Sequence, residues 1–230
     1  MPLTRRVANR AVHAVRRWVE RAGAIQPGTD LAESFGSFGP GSYISYPVTT
    51  LYGARAIHIG VDTLIGRSSS LLVGYAPDDP GLPDRGIVIG DRCVLGAGIM
   101  LTAHESIVIG DDVWFGVDVF VSDASHGYQD PETPIGLQLG AHQPVVIGDG
   151  SWIGHGAIIL PGTTLGRHVV VGAGSVVRGT VPDHAVVAGV PARIVRRLEP
   201  GLGWVASHDT DDVRPVWTAD DVAAMLAGDT

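Results

Sequence analysis

Apolar, mostly aliphatic residues recur at every sixth position through much of this chain. Ile147, Ile153, Ile159, Leu165, Val171 and Val177 form one unbroken run, and the same step recovers Ile109, Phe115 and Val121, then Ile89, Leu95 and Leu101, then Ile59, Ile65 and Leu71. The residue that follows each of them carries a second regularity: Gly60, Gly66, Leu72; Gly90, Gly96, Thr102; Gly110, Gly116, Ser122; Gly148, Gly154, Leu160; Gly166, Gly172, Arg178. A six-residue step nested in an eighteen-residue one predicts a chain that turns a corner after each hexad and closes a coil after three. The apolar residue then points into a narrow core and each coil pairs its backbone with the next. That is a mainly β fold, a parallel β-helix of about five coils. Glycine after the inward residue suits a bend where a side chain would crowd its neighbour or where φ must be positive.

The places where the period breaks carry the next step. The intervals Leu71 to Ile89, Leu101 to Ile109 and Val121 to Ile147 are the long ones, and each follows the third hexad of a coil. All three insertions therefore leave from one corner of the prism, where a solenoid builds its binding loops. The last, 123–144, is the longest and holds the most reactive side chains. Before the repeats, residues 3–22 place Leu3, Val7, Ala11, Val15, Trp18, Val19 and Ala22 at three-to-four spacing, with Arg5, Arg6, Arg10, Arg16, Arg17 and Arg21 largely elsewhere, which predicts an amphipathic helix. This helix either packs on the solenoid end or another subunit, or meets an anionic lipid or glycan in a weak membrane-surface contact. The segment 26–56 reads as an irregular first coil. The organisation expected is a basic helix over 1–25, a β-helix domain over 26–198 and an acidic tail over 199–230 that caps the stack or joins subunits, with a short helix near Asp220–Ala227.

Composition narrows the class. In 230 residues, 45% are hydrophobic and 17% charged, enough for a large core and too apolar for a disordered chain. The single cysteine, Cys93, permits no intrachain disulfide, so a reducing cytoplasm is the expected compartment. No run reaches the roughly 18 apolar residues of a membrane span, and no secretion signal is read at the start of the chain. The net charge of −8 is uneven: positive over the first helix, negative over the repeats and the tail. No broad basic face for nucleic acid is expected.

With the repeats on the page, the chain resembles the hexapeptide-repeat acyltransferases, in the branch of sugar O-acetyltransferases that includes the galactoside and maltose enzymes and those modifying glycans. The likeness spans about 40–198, carried by IVIGDRCVLGAGIML (87–101), IVIGDDVWFGVDVFVSDASHGYQDPETPI (107–135), VVIGDGSWIGHGAIILPGTTLG (145–166), VVVGAGSVVRGTVPDHAVVAGVPARIVRRL (169–198) and, more weakly, FGSFGPGSYIS (35–45). The resemblance implies a left-handed coil, against the usual right-handed rule for parallel crossovers. It also implies a homotrimer with sites between adjacent prisms, and acyl-CoA as co-substrate with no tightly bound cofactor and no metal.

Acyl transfer from a thioester to a hydroxyl needs a base, and an imidazole with a near-neutral pKa suits the task. His126, at the start of the long excursion in SDASHGYQD, is the candidate catalytic residue and matches the family's histidine. Asp123, Glu132 or a main-chain carbonyl could orient its ring. His104 and Glu105, one coil below on the same corner, could reach the same cleft or form a solvated turn. Asp130, Glu132 and Gln138 could bind sugar hydroxyls or hold the loop's own backbone, and Tyr128 could stack on a sugar ring. Trp152 is expected beside the thioester arm, whereas Trp114, one coil below, is expected to pack. By resemblance, His155, Ala173 and Gly174 line the arm of coenzyme A, and Arg178, Arg193 and Arg196 meet its phosphates, for which the guanidinium fork is suited. Arg178–Gly179 stands where galactoside-type members have Thr-Lys, a departure that leaves the lysine's role to Arg178. Cys93, between inward positions, is expected to be buried, so transfer is direct and no acyl-enzyme forms. The predicted function is acyl-CoA-dependent O-acylation of a sugar or glycoconjugate, acetyl being the usual group and a longer one such as octanoyl remaining open. The competing readings are a silent scaffold, N-acylation of an amino sugar or antibiotic, and a γ-class carbonic anhydrase, which needs two histidines five residues apart on one coil that this chain lacks.

Overall fold

The computed structural model describes residues 3–227 and consists of three sheets wrapped into a prism. Coil after coil, the chain adds one short strand to each sheet in turn. The first face runs from Ser37–Phe38 through Ile57–Ile59, Ile87–Ile89, Ile107–Ile109, Val145–Ile147 and Thr164–Leu165 to Thr180–Val181. The second runs from Tyr43–Ile44 through Leu64–Ile65, Val94–Leu95, Trp114–Phe115, Trp152–Ile153 and Val170–Val171 to Ala185–Gly189, and the third from Thr50–Tyr52 to Val176–Val177. Every pairing within the stack is parallel and in register, as in Ile107 opposite both Ile87 and Val145. The coil over 37–52, which the period did not mark, precedes the five that it did.

The inward column is dry. Ile59, Ile65, Leu71, Ile89, Leu95, Leu101, Ile109, Val121, Ile147, Ile153, Ile159, Leu165, Val171 and Val177 are all at most 2% exposed. Phe115, the largest of the series, is 5% exposed. Fully burying each such side chain contributes about 1.5–3 kcal/mol, so the stack is held by the repeat itself.

The corners separate the two roles considered for glycine. Glycines directly after the inward residue have ordinary φ; what requires them is crowding, since a Cβ on Gly66 would lie 2.6 Å from the Ala97 nitrogen and the Gly96 carbonyl carbon of the next coil. Positive φ falls two residues later, at Asp62, Ser68, Arg92, Asp112, Asp118, His168 and His184, with φ between 53° and 61°. Asp, Asn and His tolerate that region better than most L-residues, yet Arg92 and Ser68 take it here as well.

Between these positions an aspartate ladder ties successive coils together. The Val61 N–H donates to Asp91 Oδ1 at 2.8 Å, the Asp91 N–H to Asp111 Oδ1 at 2.8 Å and the Asp111 N–H to Asp149 Oδ1 at 2.9 Å. Arg167 interrupts the column, and its N–H and guanidinium both bond Asp183 of the next turn. The recurring Ile-Gly-Asp triplets are thus one physical unit: core residue, close approach, inter-coil acceptor.

Beyond the last coil the chain reverses. Ala192–Glu199 pairs antiparallel with Ala185–Gly189, and Gly203–Ala206 and Val213–Arg214 extend the same sheet. The second face therefore continues well past residue 198. Three helices flank the prism: α1 (Leu3–Ala22), the short α2 (Asp30–Glu33) and α3 (Ala219–Ala227).

Candidate active site

All three excursions emerge between the third and first faces. The longest opens as Ala124–His126, pairs antiparallel with Leu139–His142 and places His126 opposite Leu139. The hairpin closes one side of a cleft of about 350 Å³ lined by Tyr52, Tyr75, His104, Ser125, His126 and His142. Each excursion supplies a wall, which is why the three had to share a corner.

Asp123 sits beneath the cleft, fully buried. Its Oδ1 and Oδ2 accept the His104 N–H at 2.9 and 3.0 Å, and Oδ2 accepts the Glu105 N–H at 2.7 Å. Of the groups considered for orienting His126, Asp123 is engaged with the turn below. Its acceptor capacity goes to the turn one coil below, because that two-residue excursion leaves backbone donors with no strand partner. His126 itself is exposed, and among the described residues its ring has no hydrogen-bond partner. Glu105 is exposed and bound only through its N–H.

His104 is the partly buried imidazole of the site, its side chain 15% exposed. Desolvation holds its pKa below the ordinary histidine value, outweighing the opposing pull of Asp123, whose Oδ1 lies 3.8 Å from Nδ1. Nδ1 is buried without a hydrogen-bond partner. Tyr75 packs edge-on against the His104 ring at 4.4 Å, and its hydroxyl lies 2.8 Å from His142 Nε2. Neither Tyr75 nor His142 stood out in the sequence. The available signal was their position, each in an excursion from the reactive corner.

The rest of the long loop is braced internally. Asp130 accepts the Thr133 hydroxyl at 2.6 Å and the Glu132 N–H at 3.0 Å, contacts that hold its carboxyl below the usual range. The Gln138 amide donates to the Asp130 and Thr133 carbonyls at 2.8 and 2.7 Å and accepts the Asp130 N–H at 3.1 Å. Of the two roles open to Asp130 and Gln138, holding the loop's own backbone is the one found. Glu132 is exposed and Tyr128 is 77% exposed, both away from the cleft lining.

Trp152 lies elsewhere. It pairs in register with Trp114 on the second face, both more than half exposed, across the prism from the loop-bearing edge. Trp114, expected to pack, is 59% exposed. His155 and, one coil on, Ala173 and Gly174 form an exposed edge between the second and third faces, joined by the Gly174 N–H to the His155 carbonyl at 2.8 Å. Arg178 is exposed, and Arg193 is exposed with Nη1 on the Ala192 carbonyl. Arg196 is engaged within the chain: its side chain is 12% exposed, ion-paired with Asp212 and bonded to the Trp204 carbonyl at 3.0 Å, where the chain past residue 198 folds back over it. That fold-back also makes a cavity of about 520 Å³ between Val170, Val186, Trp204, Arg214 and Trp217. Cys93 is fully buried and free, its Sγ 3.1 Å from the Gly110 carbonyl.

A prism of stacked hexads with loops gathered on one edge defines a class, the hexapeptide-repeat proteins. Two family models match parts of the chain: residues 144–179 match the bacterial transferase hexapeptide (six repeats) and 56–103 the hexapeptide repeat of succinyl-transferase. Among curated relatives, a putative lipopolysaccharide biosynthesis O-acetyl transferase of Escherichia coli is 36% identical over 121 residues, 49% of this chain and 62% of the relative. A probable acetyltransferase of Mycobacterium tuberculosis is 38% identical, over 51% of this chain and 39% of the relative. The galactoside O-acetyltransferase of Escherichia coli is 27% identical, over 73% of this chain and 66% of its own length. The chain thus spans less than two thirds of each of these relatives. Among solved structures, a hexapeptide-repeat acetyltransferase of Vibrio cholerae complexed with acetyl coenzyme A aligns with TM-score 0.50 and 26% identity over 74% of both chains. A Bacillus cereus N-acyltransferase complexed with dTDP and coenzyme A shares the fold, with TM-score 0.64 at 23% identity over 77% of this chain and 92% of that one.

Proposed function

We propose that this chain is an acyl-CoA-dependent O-acyltransferase, a left-handed β-helix that moves an acetyl group to a hydroxyl of a sugar or glycoconjugate. The observation that carries the reading is His126: an exposed imidazole, unengaged among the described residues, on the wall of a cleft built by all three excursions. In the step inferred, the His126 ring takes the proton of the acceptor hydroxyl as that oxygen attacks the thioester carbonyl. The C–S bond then breaks, and the departing thiolate recovers the proton from the imidazolium. A backbone N–H stabilises the oxyanion between these events. His104, kept neutral by burial, lets a polar substrate approach without a second positive charge beside the base. Burial also pushes the Cys93 thiol pKa up and removes it from reach, which favours direct transfer in a ternary complex over a covalent acyl-enzyme.

The donor side supports a homotrimer. Trp152 and His126 lie on opposite sides of one prism, so both can act in one site only where the loop edge of one copy faces the second sheet of another. The pantetheine arm then follows the His155, Ala173 and Gly174 edge. The nucleotide end of coenzyme A finds Arg178 and Arg193 and the cavity that Trp204, Trp217 and Arg214 line together with Arg196, whose guanidinium is ion-paired with Asp212. An acyl-CoA co-substrate favours a cytoplasmic reaction.

The test is thiol release from acyl-CoAs, acetyl through decanoyl, offered with a panel of sugars, glycosides and amino sugars. Acceptor-dependent release that falls about 10²–10⁴-fold in His126→Ala supports the reading. Near-wild-type turnover in that variant removes the base assignment. Preference for an amino sugar moves the reaction to N-acylation, and a protein that neither turns over nor binds any acyl-CoA by calorimetry is a scaffold.

A further inference from the structure

Helix α1 presents its apolar side to solvent. Val7, Val12, Val15 and Trp18 are 60–69% exposed, the reverse of a helix packed onto its own domain. At about 100° per residue, Val7, Ala8, Ala11, Val12, Ala14, Val15, Trp18 and Val19 share one half of the helical wheel. The other half holds Asn9, His13 and Glu20 in its middle, with Arg5 and Arg16 along one border and Arg6, Arg10, Arg17 and Arg21 toward the other. From the polar half, Arg16 and Glu20 line a cavity with Tyr43, Ser45, Tyr46 and Arg67 at the base of the second face, while Arg5, Arg6, Arg10, His13 and Arg17 are exposed. The join between helix and body is close, since the Gly23 N–H caps the Val19 carbonyl at 2.8 Å and Ile25 bridges to Ile44.

We propose that α1 docks on an anionic bilayer surface, lying in the plane of the interface with its valine and tryptophan side in the headgroup region. Three features select this occupant over a second copy of the chain. The apolar side covers half the wheel, wider than the narrow seam of a helix pair, and is built of Val and Ala rather than the Leu and Ile that lock coiled coils. Arginines border that side along the helix, where their stems can lie on apolar surface while the guanidinium groups reach phosphates. Pairing such helices with each other would bring these borders together, six arginines against one glutamate in each. The charge is also local, because the chain as a whole carries −8, so the attraction to anionic lipid is confined to this element. Trp18 sits within the apolar side, the residue type enriched at membrane interfaces. No helix among the described residues is long and apolar enough to cross a membrane, so α1 would lie on the surface. Docking there would hold the prism beside acceptors anchored in lipid.

The experiment is co-sedimentation of the full chain with vesicles of phosphatidylcholine containing about one third phosphatidylglycerol, against vesicles of phosphatidylcholine alone. Expected is binding to the anionic vesicles at least tenfold stronger than to the neutral ones and weakened by raising salt from 50 to about 300 mM. Trp18→Asp and Val12→Asp should each abolish it with unchanged far-UV circular dichroism, and Arg6→Gln with Arg17→Gln should weaken it severalfold. Binding that ignores lipid charge, or no binding at millimolar lipid, overturns the proposal. So does a change of native mass in Trp18→Asp without a change in vesicle binding, which would make the apolar side a subunit contact. None of these readouts involves acyl transfer, so the proposal stands or falls apart from the catalytic one.

Discussion

Asp123 and His104 make the cleft floor a place where small changes carry large effects. Replacing Asp123 with alanine strands the backbone donors of His104 and Glu105, and each unsatisfied buried group costs about 1–3 kcal/mol. Urea unfolding of Asp123→Ala should show a loss of that order, with activity lost as well because the turn under the cleft shifts. His104 titrates against folding: its pKa is lowered in the native state, so the unfolded chain binds the proton more readily. Stability contributed by the neutral ring is complete above the ordinary histidine value of 6.5 and declines as pH falls through it toward the lowered native pKa. Unfolding midpoints measured from pH 7.5 down to 5.5 should fall, and His104→Gln should flatten that slope. At this scale the sequence was informative where a residue's job is local to its motif. His126 was legible because an imidazole in that motif on the reactive corner is accessible wherever the loop goes. The role of Asp123 was not, because its partners lie one coil away and depend on which strand-less donors the short excursion leaves open.

The hexad is the element that repeats, and its parts have separable costs. Gly66→Ala should destabilise the stack by about 1–3 kcal/mol, since a methyl group 2.6 Å from the next coil's backbone must push coils apart. The same exchange at Gly28, where φ is 86° and nothing lies within 4 Å, isolates the cost of the left-handed backbone from that of crowding. Thermal unfolding of the pair distinguishes the two roles of glycine that the repeat pattern left joined. The period of six, read with the glycine that follows, was sufficient to place strands, inward residues and the loop-bearing edge. The coil over 37–52 read only as irregular because the spacing that joins Phe38 to Ile44, with Gly39 behind the first, does not carry on to Leu51, opposite Leu71. The hairpin of the long loop escaped because Ala124–His126 and Leu139–His142 pair across a segment whose own hydrogen bonds, through Asp130 and Gln138, set its shape.

For the whole molecule, the separation of Trp152 from His126 yields a test that no single variant provides. If each site takes its histidine from one copy and its tryptophan from another, His126→Ala and Trp152→Ala should each be impaired when pure. Subunits of the two, unfolded and reassembled together in equal amounts, should then recover about one quarter of wild-type activity, because that share of interfaces joins two intact contributions. Mixtures no more active than either variant would place both residues in separate roles. Native mass of the wild type should correspond to three chains of 24.0 kDa.

The order of apolar and glycine positions determined by itself that this chain is a solenoid, which residues fill its core and which corner carries the loops. These are properties of a period, and a period is local: each hexad repeats the same bend, core contact and backbone pairing whatever lies far away. Tertiary structure alone decided how the excursions share their hydrogen bonds, that Tyr75 and His142 join the cleft, that Arg196 is taken by Asp212 and that α1 leaves its apolar side exposed. Each of these depends on segments distant in sequence meeting at one edge or one end of the prism, where donors and charges find whichever partner the stack brings within reach.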